Sequence, residues 1–200
     1  MIGWVNADSD RRAAVFIDES WFVLWPYPAS AWARVGRPVR VAKTKSWRDQ
    51  DRPPSCALYG QMDARTRQVT DEWHRTWNQE ETWAHLEGVI AAYAKAGTRY
   101  LVVFWDHAPW HLAGSVRMRV AEHNREARQN GGVHVLLFPL PIRSPWLMPL
   151  EPVFGQTKRA VGARERASMA EIQAAVDQRI ARRNVAAHKA NDHPNPIQPV

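Results

Sequence analysis

Three acidic residues stand where carboxylates could do chemistry together. Residues 13–17 are a short apolar run with mostly β-forming side chains that stops at Asp18, and residues 100–105 are another that stops at Asp106. Glu151 follows a proline-rich loop, residues 139–149, and lies at the start of a helical stretch. In α/β sheets, ligands gather beyond the carboxyl ends of strands. If the two runs are parallel neighbours, Asp18 and Asp106 share one edge of the sheet, and the loop can bring Glu151 back over it. Clustered carboxylates repel one another until a cation neutralises them. An all-oxygen donor set suits hard divalent ions, Mg²⁺ or Mn²⁺. Two such ions about 4 Å apart activate an attacking oxygen and stabilise a leaving one during in-line displacement at phosphorus. Taken singly, each acid has a plainer role. A strand-end aspartate caps a turn, and a glutamate in a first helical turn complements the helix dipole. The case for metal-dependent phosphodiester chemistry rests on their joint placement.

The elements that must position these acids are read from periodicity and turn residues. Residues 13–17 and 21–25 read as a hairpin that ends at Pro26. Residues 26–38 form a loop, 39–42 a short strand, and 43–54 an exposed basic loop. Residues 57–62 and 68–73 read as strands joined by a polar turn at 63–67. Residues 80–96 show helical spacing, with Trp83, Leu86, Ile90 and Tyr93 on one face and Gly97 as a stop. The run at 100–105 is apolar on both faces, the mark of a central, doubly covered strand. A helix at 112–129 ends at Gly131 and Gly132, and 133–138 reads as the next buried strand. Another helix starts near Pro149. Ser168 and Glu171 have capping-box spacing, and Met169, Ile172, Val176 and Ile180 carry a last helix to about Arg183. Residues 191–200 contain three prolines and read as a disordered tail. The order predicts an α/β fold, a mixed sheet of antiparallel meander plus parallel strands, flanked by helices.

Bulk properties narrow the setting. At 200 residues, 45% hydrophobic and 24% charged, the chain suits one soluble domain with a real core. Its net charge of +7 favours a polyanionic partner, of which nucleic acid is the commonest. The single cysteine, Cys56, excludes an internal disulfide and fits a reducing compartment. The first dozen residues hold no apolar stretch suited to a signal peptide, and no run approaches the ~20 residues of a membrane span. These features point to a cytoplasmic protein with no membrane partner. The 11 tryptophans are an excess that patterning does not explain.

Three segments carry a family resemblance. They are Val15-Phe16-Ile17-Asp18-Glu19-Ser20, Val103-Phe104-Trp105-Asp106-His107-Ala108-Pro109-Trp110-His111, and Leu140-Pro141-Ile142-Arg143-Ser144-Pro145-Trp146-Leu147-Met148-Pro149-Leu150-Glu151. In order, they resemble the three acidic motifs of the mariner-related bacterial insertion-sequence transposases, which are DDE-type endonucleases. The stretch from Trp32 to Pro38 resembles the loop after the first motif. The third motif is the most specific, because a Ser-Pro-x-Leu-x-Pro-x-Glu string has few other owners. The similarity runs from about Val15 to Ala160. It implies a ribonuclease-H-like catalytic domain over residues 13–160, with an N-terminal extension at 1–12, a C-terminal basic helix at 161–190 and the tail at 191–200.

The resemblance also implies roles. Asp18, Asp106 and Glu151 become the catalytic and metal-binding triad, holding two Mg²⁺ or Mn²⁺ ions. The implied activity is hydrolysis of a phosphodiester at a transposon end, followed by attack of the freed 3′-hydroxyl on target DNA. The implied partners are transposon-end and target DNA, and a second copy of the chain in a homodimer assembled on DNA. Family members carry a helix-turn-helix module ahead of this domain. Only about a dozen residues precede the first strand here, so the expectation is a separate helix-turn-helix subunit from a split frame, or a truncated element. His107 replaces the family's Asn after the second Asp, and Met148 replaces its Asn before the proline preceding the Glu.

Other side chains are weaker candidates. Glu19 follows Asp18, but adjacent strand residues point to opposite faces. His107 and His111 are four apart, yet Pro109 lies between them and no cysteine joins them, so they do not read as a zinc pair. His111 matches a family histidine near the site, as a support for the ligands or a DNA contact. Lys158 and Arg159 meet phosphate or form a solvated basic face. Two rival functions remain: a non-catalytic remnant that binds DNA or a partner, and a ribonuclease acting on RNA–DNA hybrids.

Overall fold

The computed structural model describes residues 2–24, 34–37, 54–162 and 166–192. In chain order the elements are α1 (Ile2–Asn6), β1 (Arg12–Val23), β2 (Ser55–Asp63), β3 (Val69–His74), α2 (Gln79–Lys95), β4 (Tyr100–Trp105), α3 (Gly114–Asn130), β5 (His134–Pro139), a 3-10 turn (Pro145–Leu147), α4 (Leu150–Gly162) and α5 (Met169–Asp192). The strands form one sheet in the order β3-β2-β1-β4-β5. The β1–β2 and β2–β3 pairs are antiparallel, while β1–β4 and β4–β5 are parallel. This is the mixed, helix-flanked sheet that the sequence predicts.

Alternation along the strands divides the core between two faces. Val15, Ile17, Leu101, Val103 and Trp105 pack with Leu86 and Ile90 of α2 and Val116 of α3. Ala14, Phe22, Leu58, Met62 and Phe104 pack with Phe154 of α4 and Ile172, Val176 and Ile180 of α5. The last helix therefore shares the core of the sheet. The Ser168 cap forms, with the Glu171 N–H donating to Ser168 Oγ at 3.3 Å, and the Glu171 carboxylate reaches back one residue further than a capping box, to the Ala167 N–H at 3.1 Å.

Three expectations need correction. The hairpin across 13–25 does not form: β1 runs unbroken through Asp18 and pairs with β2 from Val15 opposite Asp63 to Val23 opposite Ser55. Asp18-Glu19-Ser20 supplies no glycine or asparagine for a tight turn, so the strand continues. β5 is an edge strand rather than a buried one. α3 packs against the β5 face that carries Val135 and Leu137, whereas α4 and α5 lie over β1, β2 and β3, leaving Leu136 and Phe138 exposed. The last helix continues past Arg183 to Asp192, taking the first two residues of the expected tail, because no proline interrupts it before Pro194. Within residues 1–12, α1 buries Val5, and Arg12 sits 4.2 Å from the Trp4 ring centroid. The expected strand at 39–42, most of the loops around it and residues 193–200 lie outside the described residues.

Both sheet edges are clipped by an asparagine from a helix. Asn184 of α5 accepts from the Val69 N–H at 2.9 Å and donates to the Val69 carbonyl at 2.6 Å, on edge strand β3. Asn124 of α3 does the same to Val135 on β5, at 2.8 Å in both directions. Such clips satisfy backbone groups that an edge strand would otherwise leave open to pairing with another chain. Asn184→Ala leaves both Val69 groups without these partners, so it is expected to lower unfolding free energy by about 1–3 kcal/mol in urea titrations.

Candidate active site

The geometry of the site starts from the register of two parallel strands. Phe16 of β1 lies opposite Phe104 of β4, and their rings stack with centroids 5.0 Å apart. Asp18 and Asp106 each lie two residues further on. Alternation therefore puts both carboxylates on the face of those rings, at the carboxyl end of the parallel pair. Beyond Phe16 and Phe104 the two strands no longer pair, while β1 stays paired with β2 to Val23. The acids lie where the two strands diverge, and Asp106 lines the cleft there.

Asp106 is positioned by its own loop. Its Oδ1 accepts from the Ala108 N–H at 2.9 Å and pairs with His111 Nδ1 at 2.7 Å. The other ring nitrogen, Nε2, meets Glu19 Oε1 at 2.8 Å. The His111 ring is fully buried and stacks on Trp105 with centroids 4.9 Å apart and planes 6° from parallel. Trp110 Nε1 donates to the second Glu19 oxygen at 3.2 Å. Glu19 thus points away from Asp18, as strand alternation requires. The buried ring spends both nitrogens on these two carboxylates.

Electrostatics separate the two aspartates. Asp18 is pushed up to about 8, first by burial and then by the negative charges of Glu19 and Asp106. Asp106 lies below the ordinary carboxylate range: burial pushes it up, but the bonds from His111 and the Ala108 N–H, with the His111 and His107 charges, outweigh that. Burial opposes a charge on His111, yet its bonds to Asp106 and Glu19 push it up to about 9. The crevice therefore presents one ionised acid and one that holds its proton until a positive charge arrives.

Glu151 lies in the first turn of α4, and its side chain is exposed. It shares a cleft of about 330 Å³ with Asp106, His107 and the 140–148 loop. Its neighbours Met148, Leu150 and Phe154 are buried and anchor the start of the helix. Phe154 depends on Gly60, the residue opposite Asp18 in the β1–β2 ladder. A β-carbon on Gly60 would lie 2.6 Å from Phe154 Cζ. The absence of that one atom lets α4 rest on the sheet beside Asp18. One turn further on, Lys158 is half-buried over Phe22; burial lowers its ammonium below the ordinary range, and attraction to Asp18 opposes this. Arg159 is exposed, and His107 lines the cleft.

The three acids are not a closed cluster. Among the described residues, the three metal-ligating side chains whose atoms all lie within 4.8 Å of one another are Glu72, His74 and His85. Sequence reading missed that group, Gly60 and the Glu19 partnership of His111. It also left the tryptophans unexplained. Part of the excess is a ladder beside Glu19, in which Trp21 lies 4.9 Å from Trp77 and Trp77 stacks on Trp110 at 5.4 Å.

Residues 13–173 match the family model of the DDE superfamily endonucleases. The chain belongs to that family. Among curated proteins no sequence matches. Solved structures of Mos1 do match. The Mos1 transposase paired-end complex with left transposon end is 17% identical at a TM-score of 0.62, with 96% of this chain and 56% of that one covered. The mariner Mos1 paired end complex with Mg gives 17% and 0.63, covering 94% and 57%. The catalytic domain of Mos1 mariner transposase gives 18% and 0.59, covering 96% and 81%. At these identities the likeness establishes the fold, the ribonuclease-H-like sheet of transposase catalytic domains. This DDE-family chain spans little more than half the length of the Mos1 chains in the paired-end complexes.

Two outcomes follow for the site of this DDE-family chain. Gly60→Ala must displace Phe154 and the start of α4, so it is expected to cost about 1–3 kcal/mol in thermal or urea unfolding. Asp18 binds its proton more tightly folded than unfolded. In chelator-treated protein that contribution is present below 3.8 and lost as pH rises through about 8. Asp18→Asn should therefore raise Tm more at about pH 8.5 than at about pH 4.5; an equal change at both would contradict the shifted carboxyl.

Proposed function

We propose that this chain is the catalytic core of a DNA transposase, hydrolysing a phosphodiester at a DNA end so that the freed 3′-hydroxyl attacks a target phosphodiester and displaces the target strand's 3′-oxygen. The observation that carries this reading is the in-phase position of Asp18 and Asp106 beyond the Phe16–Phe104 pair, with Asp106 and Glu151 lining one cleft. Family membership supports it. The Mos1 structures named with a left transposon end and with Mg belong to the protein whose fold this chain shares.

Asp18, Asp106 and Glu151 form an all-oxygen donor set suited to Mg²⁺ or Mn²⁺, and the raised Asp18 carboxyl fits a site short of positive charge. When bound, such ions polarise the phosphoryl oxygens and make an attacking water or hydroxyl more acidic. The chain's own residues do the rest. His111 holds the Asp106 carboxylate in one orientation, with Glu19 behind the ring. Lys158 sets a cation near Asp18 on the side from which α4 faces the crevice. His107 lines the cleft where DNA would lie. The net charge of +7 favours a DNA backbone in a salt-dependent manner.

DNA ends and target DNA are the proposed partners, with a homodimer on DNA and a separate helix-turn-helix subunit for end recognition. Among the described residues no helix is long and apolar enough to cross a membrane. Supercoiled plasmid with Mg²⁺ or Mn²⁺ provides the test. The wild-type chain nicks it, and Asp106→Asn lowers the rate about 100-fold or more. Salt-sensitive binding without cleavage would instead mark a non-catalytic DNA-binding remnant, and selective cutting of RNA–DNA hybrids a ribonuclease.

A further inference from the structure

On the opposite face of the sheet from Asp18, a row of side chains crosses the strands. Glu19 of β1 lies opposite Tyr59 of β2, and Tyr59 opposite Glu72 of β3. His74 follows two residues after Glu72 on the same face. His85, one turn after Glu81 on α2, comes down onto them. The result is a compact group. Glu72 Oε2 lies 3.3 Å from His85 Nδ1 and 3.4 Å from His74 Nε2. The ligating atoms of all three residues fall within 4.8 Å.

These separations have a chemical meaning. Ligands about 2.0–2.1 Å from a tetrahedral zinc ion lie about 3.3 Å from one another. Two edges of this triangle already have that length. His74 Nε2, one corner of the triangle, is buried and makes no hydrogen bond, while the His85 Nδ1 corner hydrogen-bonds to the Glu72 carboxylate. The remaining nitrogen of His74, Nδ1, makes a very short contact with the Glu81 carboxylate. A carboxylate behind a histidine is the arrangement that sets the tautomer and raises the basicity of a metal-ligating imidazole. Two imidazoles and one carboxylate suit Zn²⁺, whereas the all-oxygen crevice on the other face suits Mg²⁺ or Mn²⁺.

We propose that Glu72, His74 and His85 form a second metal site, selective for Zn²⁺ over Mg²⁺, with Glu81 orienting His74 and one position left for water. The ion joins edge strand β3 to α2. The site is separate from the proposed catalytic carboxylates and does not depend on their function. Zinc bound here stabilises the fold by mass action, because the four side chains converge only when β3 and α2 are packed.

The test uses chelator-treated, tag-free protein carrying Asp18→Asn, Asp106→Asn and Glu151→Gln, so that the carboxylate crevice does not contribute. Zn²⁺ is titrated against a chromophoric chelator, and Tm is measured in parallel. The expected result is one Zn²⁺ per chain, with a raised Tm. His74→Gln and His85→Gln abolish both effects, and Glu81→Gln weakens binding about tenfold or more. Glu72→Gln, at an exposed side chain, supplies a ligand variant whose fold circular dichroism can verify should His85→Gln not fold. No bound Zn²⁺, or Zn²⁺ binding unchanged by both Glu72→Gln and His74→Gln, would overturn the proposal.

Discussion

His111 holds the two ends of the candidate site together. One ring nitrogen meets Asp106, just past the end of β4, and the other meets Glu19 inside β1. The ring and Glu19 lie out of reach of water, with Trp105 stacked on the ring and Trp110 bonded to the same glutamate, while Asp106 opens to solvent. A buried charge is tolerable only when paired, and removing one partner strands the other. This clamp therefore has two stable consequences. It keeps the imidazole charged at neutral pH, and it keeps Asp106 aimed outward and ionised. With the Trp110 bond to Glu19, it ties the segment after β4 to β1 past the Phe16–Phe104 pair, where strand pairing stops.

The two faces of β1 then take different tasks. Asp18 faces α4, where burial and neighbouring carboxylates raise its proton affinity and Lys158 stands near. Glu19, one residue along, faces α2 and α3 and belongs to the histidine clamp. Gly60 sits opposite Asp18 on β2 and leaves room for Phe154, so the helix that carries Glu151 lies directly on the strand that carries Asp18. The crevice is thus defined from three sides: a parallel strand pair below, a clamped loop on one flank and a helix start on the other.

Much of this was legible in the amino-acid sequence. The apolar runs ending at Asp18 and Asp106 marked their strands, and the Ser168–Glu171 box marked the last helix. Opposite-face alternation correctly separated Glu19 from Asp18. What escaped detection depended on contacts between distant segments. Strand β1 passes through Asp18 because its partner, β2, begins at Ser55; no local signal announces that pairing. β5 reads as buried from its composition, but its cover depends on where α4 and α5 settle. Gly60 looks like any strand glycine until Phe154 is packed against it. The Glu72, His74 and His85 group joins a strand to a helix, and neither spacing alone suggests a ligand set.

The central claim is that Asp18, Asp106 and Glu151 together hold divalent ions at the carboxyl ends of β1 and β4. Anomalous diffraction from crystals grown with Mn²⁺ tests it most directly. The account predicts manganese density in the crevice, with oxygens of Asp18 and Asp106 about 2.1 Å away and the Glu151 carboxylate turned towards it. Manganese bound elsewhere, or a crevice in which Glu151 stays turned away from ion-bound Asp18 and Asp106, would contradict it.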